Sequence, residues 1–336
     1  MDKTMDIRDV DQLAPYAAAL LQYVGRADRV LLTGPIGPDG DSIGACLALS
    51  TGLASVSDTP VVIAGDLLPR YAGLPGAEAI VADAKIEPNF DLVLILDGDS
   101  ARLEPKIERA WKAAKVRGII DHHGSTVPDG YDLAILDGKV ASTCQMVHAI
   151  LELWDVPLTA SLAEQLYTGL IFDTGGFRHA NTDPEVHRLA ARLLTTGFEH
   201  SELSIRVLSE RTPAALLLIA RVIQGAWFSH EGRVHSGIVR VKDLQDLGAV
   251  PGDIEGIVET LLNTTGVEIS VLFVERSSER VKLSFRCRSR CEHNVATVAS
   301  ELSPHGGGHP RAAGALMAMN LGEAVRCVEQ VLNARL

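Results

Sequence analysis

Residues 91–126 read DLVLILDGDSARLEPKIERAWKAAKVRGIIDHHGST, and this stretch decides the fold. An apolar run, DLVLILDG (91–98), is followed by EPKIERAWKAAK (104–115), whose charges fall on one helical face. A second apolar run, VRGIID (116–121), comes next. Strand, helix and strand in that order form a unit whose two strands lie parallel. Both apolar runs end in acid, Asp97 in the first and Asp121 in the second, the latter followed by His122 and His123. In a parallel sheet the residues just past the strand ends converge on one crevice, and ligands bind there.

Working outward, RVLLTG (29–34) and PVVIAG (60–65) are further strands. SIGACLALSTGLAS (42–55) is the helix between them, and residues 11–25 form an opening helix. Helices are predicted over 141–154, 159–177, 183–197 and 212–226; the third has Pro184 in its first turn and Gly197 at its end. After that the pattern changes. RVHSGIVRV (233–241), VEISVLFVERSS (267–278) and RVKLSFRCRS (280–289) alternate apolar and polar residues, as half-exposed strands do. The last two read as a hairpin turning near Ser277-Ser278, and residues 253–265 and 321–336 are amphipathic helices. The expected architecture is α/β: a doubly wound, mostly parallel N-terminal sheet domain (1–200), a helical linker (201–226), and a smaller C-terminal α/β domain with a mixed sheet (227–336). The active site is expected in the cleft between the domains.

Composition narrows the function. A chain of 336 residues is too long for one core, and with 46% hydrophobic but only 4% aromatic residues its interior is built from aliphatic side chains. No apolar run is long enough for a membrane span, and the charged start, MDKTMDIRDVDQLAPY, lacks the apolar stretch of a signal peptide. Five scattered cysteines (46, 144, 287, 291 and 327) fit reduced thiols in a cytoplasm; the Cys287/Cys291 spacing is expected to reflect free thiols rather than a metal pair. A net charge of −12 disfavours long duplex nucleic acid, which is bound through Lys and Arg against phosphate. A small anionic substrate remains compatible, because bound metals reverse the local field.

The acids recur in a set. Asp39-Gly40-Asp41 follows the first strand, Asp97 follows a strongly apolar one, and Asp121-His122-His123 closes another. One Asp past a strand is ordinarily a helix cap. Several carboxylates and imidazoles on one crevice need a cation between them, and a divalent metal cluster is the economical explanation. Two metals bridged by a carboxylate, here Asp97, are the arrangement used for phosphoryl chemistry. One imidazole of the His122-His123 pair can ligate metal while Asp121 orients a ring and the other imidazole bonds phosphate. Asp173 ends an apolar helix and needs a cation; Arg178 and His179 follow it and can face a phosphate. The isolated histidines 148, 187, 200, 230 and 235 are expected at the surface or satisfied in the core. In HGGGHPRAAGA (305–315), Gly306, Gly307 and Gly308 let backbone N–H groups approach an anion, with His309 and Arg311 adding charge or hydrogen bonds.

The strings PDGDSIGA, LDGDS, DHHGS, GLIFDTGGFRHANT and GGGHPRAAG, in this order, resemble the DHH phosphoesterases, specifically the RecJ-like branch with a DHH-associated C-terminal domain. Within that family the chain is most similar to the bacterial nanoRNase/pAp phosphatases. The resemblance covers nearly the whole chain and implies a two-manganese site. Asp39 would serve one metal, Asp41, His122 and Asp173 the other, and Asp97 both. His123 would position the scissile phosphate, and Gly306–Gly308, His309 and Arg286 would contact substrate. Mg2+ or another divalent ion is the alternative to Mn2+. One position departs from the pattern: where the family's first motif begins with a metal-binding His, this chain has Pro35.

The implied activity is hydrolysis of short RNA oligonucleotides or removal of the 3′-phosphate of pAp. Cleavage of cyclic or linear dinucleotides is the enzymatic alternative. A nucleotide-binding protein whose catalysis is impaired at Pro35 is the alternative from another class. A cytoplasmic protein, with a homodimer plausible for the family, completes the expectation.

Overall fold

The computed structural model describes residues 5–288, 290–304 and 306–336. Two compact units divide the chain: Glu210 ends the first and Arg211 begins the second.

The first unit is built on a five-stranded sheet, all parallel, in the order β2-β1-β3-β4-β5. Its strands are β1 (Val30–Thr33), β2 (Val61–Ala64), β3 (Leu92–Leu96), β4 (Val116–Asp121) and β5 (Leu133–Leu136). The helices are α1 (Val10–Arg26), α2 (Gly40–Val56), α3 (Pro105–Ala113), α4 (Thr143–Leu153), α5 (Ala160–Asp173), α6 (Pro184–Leu194) and a short α7 (His200–Ser204). Alternation along the buried strands separates two cores. Val30, Leu32, Leu92, Leu94 and Leu96 join one with α1, α2, α4 and α5, while Leu31, Val93, Ile95 and Ile119 join the other with α3. On α3, Ile107, Ala110 and Trp111 face the sheet at helical spacing, and Pro105 opens the helix where its missing N–H costs nothing. β5 is an edge strand that the sequence reading passed over.

The helix α2 is buried on nearly every side from Gly40 to Leu53. Its small residues permit this. A Cβ on Gly44 would stand 2.5 Å from the Gln165 carbonyl of α5, and one on Gly52 would overlap Leu151 of α4. The strand order reverses at β1, whose neighbours are β2 and β3. The segments after β1 and β3 therefore lie side by side at the switch point where such sheets bind ligands.

The second unit carries a six-stranded mixed sheet, β10-β11-β9-β8-β7-β6. Its strands are β6 (Trp227–Ser229), β7 (Val234–Val239), β8 (Ile269–Ser277), β9 (Arg280–Cys287), β10 (Gly307–His309) and β11 (Ala312–Met317). Only β7 and β8 pair in parallel. The helices α8 (Pro213–Gly225), α9 (Val241–Leu247) and α10 (Ile257–Leu262) belong to one face, and α11 (Val295–Leu302) and α12 (Leu321–Asn333) to the other.

Two expectations change here. β8 is buried over Ile269–Val274, because Ile269, Val271 and Phe273 join one core and Leu272 and Val274 the other; its hairpin partner β9 keeps one exposed face. The segment expected as a linker over 201–226 is split. Residues 201–210 belong to the first unit, while α8 buries Leu218 and Val222 in the core of the second.

Candidate metal centre and active site

The loop after β1 leads directly into α2. Asp39 is its N-cap, and its Oδ1 accepts hydrogen bonds from the N–H groups of Asp41 (2.9 Å) and Ser42 (3.2 Å). The loop is fastened to the end of β3 by Ser42, whose hydroxyl donates to the Leu96 carbonyl at 3.2 Å. Just beyond, Asp97 has φ 67°, left-handed backbone that a non-glycine residue adopts at a cost, and Gly98 follows at φ 152°. This sharp turn drops the Asp97 carboxylate into the crevice, where it is almost wholly buried.

Asp41 is fully buried and met by the N-terminus of α4, whose Thr143 and Cys144 N–H groups donate to Oδ2 (2.5 Å) and Oδ1 (2.9 Å). The Thr143 hydroxyl also donates to Asp97 Oδ1 at 3.3 Å. His122 brings Nε2 to 2.9 Å from Asp173 Oδ2, 3.5 Å from Asp97 Oδ1 and 3.9 Å from Asp41 Oδ2. Ligand atoms of all four residues lie within 4.8 Å of one another. Yet buried His122 Nε2 makes no hydrogen bond. The four side chains converge on one point, with His122 Nε2 at ion-pair distance from the Asp173 carboxylate. The other ring nitrogen, Nδ1, is 3.4 Å from the Val140 carbonyl and donates to it, which leaves the Nε2 lone pair facing the carboxylates.

The electrostatics agree. Burial, then the charges of Asp97 and Asp173, push the Asp39 and Asp41 carboxyls well above the ordinary carboxylate value. Burial also raises Asp173. Burial disfavours charge on His122, but Asp173 and Asp97 outweigh it and hold the imidazole well above its usual value. A divalent cation relieves all of these at once. The donor set of three carboxylates and one imidazole suits Mn2+ or Mg2+ class ions.

His123 stands beside this cluster, with Nδ1 3.8 Å from Asp97 Oδ1, but is held by a different carboxylate. Its Nδ1 donates to Asp121 Oδ1 at 2.6 Å, and the other Asp121 oxygen accepts from the Thr126 hydroxyl. This bond, working against burial, raises the His123 pKa. Asp121 is fully buried, so it orients the ring and does not itself face the crevice. Asp121→Asn should therefore lower kcat by roughly 10–100-fold with little change in metal affinity, as loss of an orienting carboxylate does. An equal loss in a His123→Ala background would show that Asp121 acts elsewhere.

The other predicted residues are placed as follows. Exposed Arg178 folds its Nε onto the Gly175 carbonyl at 2.6 Å. His179 Nδ1 donates to the Asp173 carbonyl at 3.0 Å, and Asn181 Nδ2 donates to the same carbonyl at 3.2 Å, so both brace the turn after α5. Pro35 is buried with its ring over Gly98: a Cβ there would stand 3.1 to 3.3 Å from the ring carbons. In the second unit, Gly307, Gly308 and His309 form edge strand β10, preceded by Gly306; His305 lies outside the described residues. Gly308 needs to be glycine, with φ 136° and the Ala312 carbonyl 2.5 Å from any added Cβ. Arg286 Nε pairs with Glu259 at 2.7 Å. Arg311, expected as a substrate contact, is turned inward, its guanidinium donating to the Cys291 and His293 carbonyls, the latter at 3.1 Å. That geometry supports a structural role for Arg311, which ties the turn after β9 together and also donates to Cys287 Sγ at 3.5 Å. Thr143, Thr126 and Asn181 were missed as site residues. The cap signal at Ser142-Thr143 marked a helix start, but not which carboxylate it would meet.

A parallel sheet with a buried acid–imidazole cluster past its strand ends defines an α/β metal-site protein. Comparison with known proteins makes this specific. The model of the DHH family, N-terminal domain, matches residues 29–170, and that of the DHHA1 domain matches residues 236–334. A protein of Thermus thermophilus named bifunctional oligoribonuclease and PAP phosphatase NrnA is 33% identical over 305 residues, covering 89% of this chain and 86% of that protein. One of the same name from Bacillus subtilis is 25% identical, covering 88% and 91%. The chain belongs to the DHH family of phosphoesterases, in the branch that carries a DHHA1 domain. The solved structure of an exopolyphosphatase-related protein from Bacteroides fragilis shares the fold, with a TM-score of 0.86 at 22% identity over 99% of this chain and 98% of that one. Among the described residues no helix is long and apolar enough to cross a membrane.

Proposed function

We propose that this chain is a manganese-dependent phosphoesterase that hydrolyses short oligoribonucleotides and the 3′-phosphate of pAp. The observation that carries the reading is the unbonded Nε2 of His122, facing Asp41, Asp97 and Asp173 at the switch point of a DHH-family sheet. The relatives' names supply the substrate class.

Asp41, Asp97, His122 and Asp173 would hold the cation, and Asp39, with one oxygen already capping α2, is the remaining acid for a second. When bound, such a cation offsets charge on phosphoryl oxygens and lowers the pKa of water. The residues themselves do the positioning. Asp97 is fixed by its strained turn and by Thr143, and Asp41 by the α4 N-terminus. His123, with Nδ1 fixed by Asp121, offers its Nε2 edge to a phosphate oxygen. Arg178, Arg286, Gly306, Gly307, Gly308 and His309 are proposed as substrate contacts. With five free cysteines, the protein is proposed to work in the cytoplasm.

The test is hydrolysis of 5′-labelled pApA, pAp and a cyclic dinucleotide by the purified chain, with and without Mn2+. Mn2+-dependent release of AMP from the first two supports the proposal. Turnover of the cyclic substrate alone would transfer it to cyclic dinucleotide hydrolysis. Tight nucleotide binding with no turnover at any Mn2+ concentration would make the chain a binding protein. Pro35 enters here, because its ring lies beside the Asp97-Gly98 turn. Pro35→His should add a ligand and lower the Mn2+ concentration needed for half-maximal occupancy by roughly tenfold or more. Unchanged Mn2+ binding would place the position outside the metal site.

A further inference from the structure

The second unit contains another convergence of ligand atoms, remote in sequence from the DHH cluster. Cys291, His293 and Glu268 bring a sulfur, a ring nitrogen and a carboxylate oxygen within 4.8 Å of one another. Glu268 precedes β8, and Cys291 and His293 belong to the turn after β9. The turn is fastened through its backbone. Arg288 N–H donates to the Glu268 carbonyl (2.9 Å), Cys291 N–H to the Arg288 carbonyl (3.0 Å), and Arg311 to the Cys291 and His293 carbonyls. The side chains are thus presented by a fixed frame.

These donors meet without satisfying each other. Among the described residues, His293 and Glu268 form no ion pair and the His293 ring has no hydrogen bond; Glu268 faces Arg233 at 4.0 Å. A buried thiol alone is an ordinary core residue. A buried thiol with an imidazole and a carboxylate turned to the same point is not, because packing needs neither polar group there. Beside Cys291 is the buried thiol of Cys287, pushed up to about 12 by burial and by that neighbour.

We propose that Glu268, Cys291 and His293 form a binding site for a zinc-class divalent cation, with Cys287 or water as the fourth ligand. A mixed sulfur, nitrogen and oxygen set selects a borderline-soft tetrahedral ion over Mn2+ or Mg2+, which prefer oxygen. Ligand atoms about 3.3–3.8 Å apart are required around such an ion, so a small closure of the observed spread suffices. With water as the fourth ligand, one thiolate and one carboxylate match its charge; with Cys287, the added thiolate faces Arg311, whose Nη1 donates to that sulfur at 3.5 Å. The ion would staple the turn after β9 to the start of β8. It does not depend on the hydrolytic reading.

The experiment is a Co2+ titration of the metal-stripped full-length protein, following the thiolate-to-cobalt charge-transfer band. The DHH cluster offers no sulfur ligand, and Cys144 nearby directs its sulfur at the Asp41 and Gln165 carbonyls. The band should appear in the unaltered chain and in Asp97→Asn alike, and be displaced by Zn2+. It should vanish in Cys291→Ser, and its midpoint should move at least about 100-fold in His293→Gln and Glu268→Gln, which keep the sulfur and the side-chain volume. No band in the unaltered chain overturns the proposal, as does a band unchanged in the His293 and Glu268 variants.

Discussion

Asp97→Asn should lower Mn2+-dependent hydrolysis of pApA by about a thousand-fold and remove most of the thermal stabilisation that saturating Mn2+ gives the unaltered protein. Both effects come from one place. The Asp97 oxygen faces His122 within 3.5 Å and shares the ligand cluster with Asp41 and Asp173. A lost ligand forfeits several kcal/mol of transition-state stabilisation, and about 4 kcal/mol is a factor of about a thousand. Without metal, the Asp97 charge is one of the causes that raise Asp39, Asp41 and Asp173, while His122 and His123, working against burial, hold Asp97 itself below its ordinary value; the two contributions oppose each other in the metal-free protein. Asn tolerates the left-handed backbone at φ 67°, so the turn survives. Saturating Mn2+ should raise the melting temperature of the unaltered protein by mass action, and that of Asp97→Asn much less. Undiminished activity in Asp97→Asn would remove this cluster from the reaction.

Gly169→Ala is expected to cost about a hundred-fold in kcat/KM although it changes no charged group. A methyl at Gly169 would overlap Asp41 Oδ1 and Cys144 Sγ and stand 2.9 Å from Asp41 Cα. The helix α2 is packed on all sides and cannot withdraw, so the carboxylate must shift. Overpacking of this kind costs about 1–3 kcal/mol of stability. A shift of about 1 Å at a positioned group costs about a hundred-fold in rate. Thermal melting together with Mn2+ affinity checks the cause: both should fall. Normal Mn2+ binding and turnover would mean that Asp41 does not need its present place.

The βαβ organisation is legible in residues 91–126 because buried parallel strands and an amphipathic helix leave distinct local periods. The helices α1 to α6 are legible for the same reason, together with cap signals such as Asp183-Pro184. The edge strand β5, the strand β6 and the helices α9 and α11 are not, since short elements bury too little to impose a pattern of their own. β8 reads as half-exposed, yet helices cover both of its faces.

The candidate site divides in the same way. Sequence by itself determined that acids and imidazoles stand at strand ends, because a run of apolar residues stops where the chain leaves the sheet. It also determined the glycines, whose small size no other residue can supply. Only the tertiary structure decided which strand ends are neighbours, since the order β2-β1-β3-β4-β5 follows from packing across the whole sheet. It alone joined Asp41 to the N–H groups of Thr143 and Cys144, about a hundred residues away, and turned Arg311 inward onto loop carbonyls. Those pairings are set by long-range burial and by the need to satisfy buried polar groups, and neither has a local period to read.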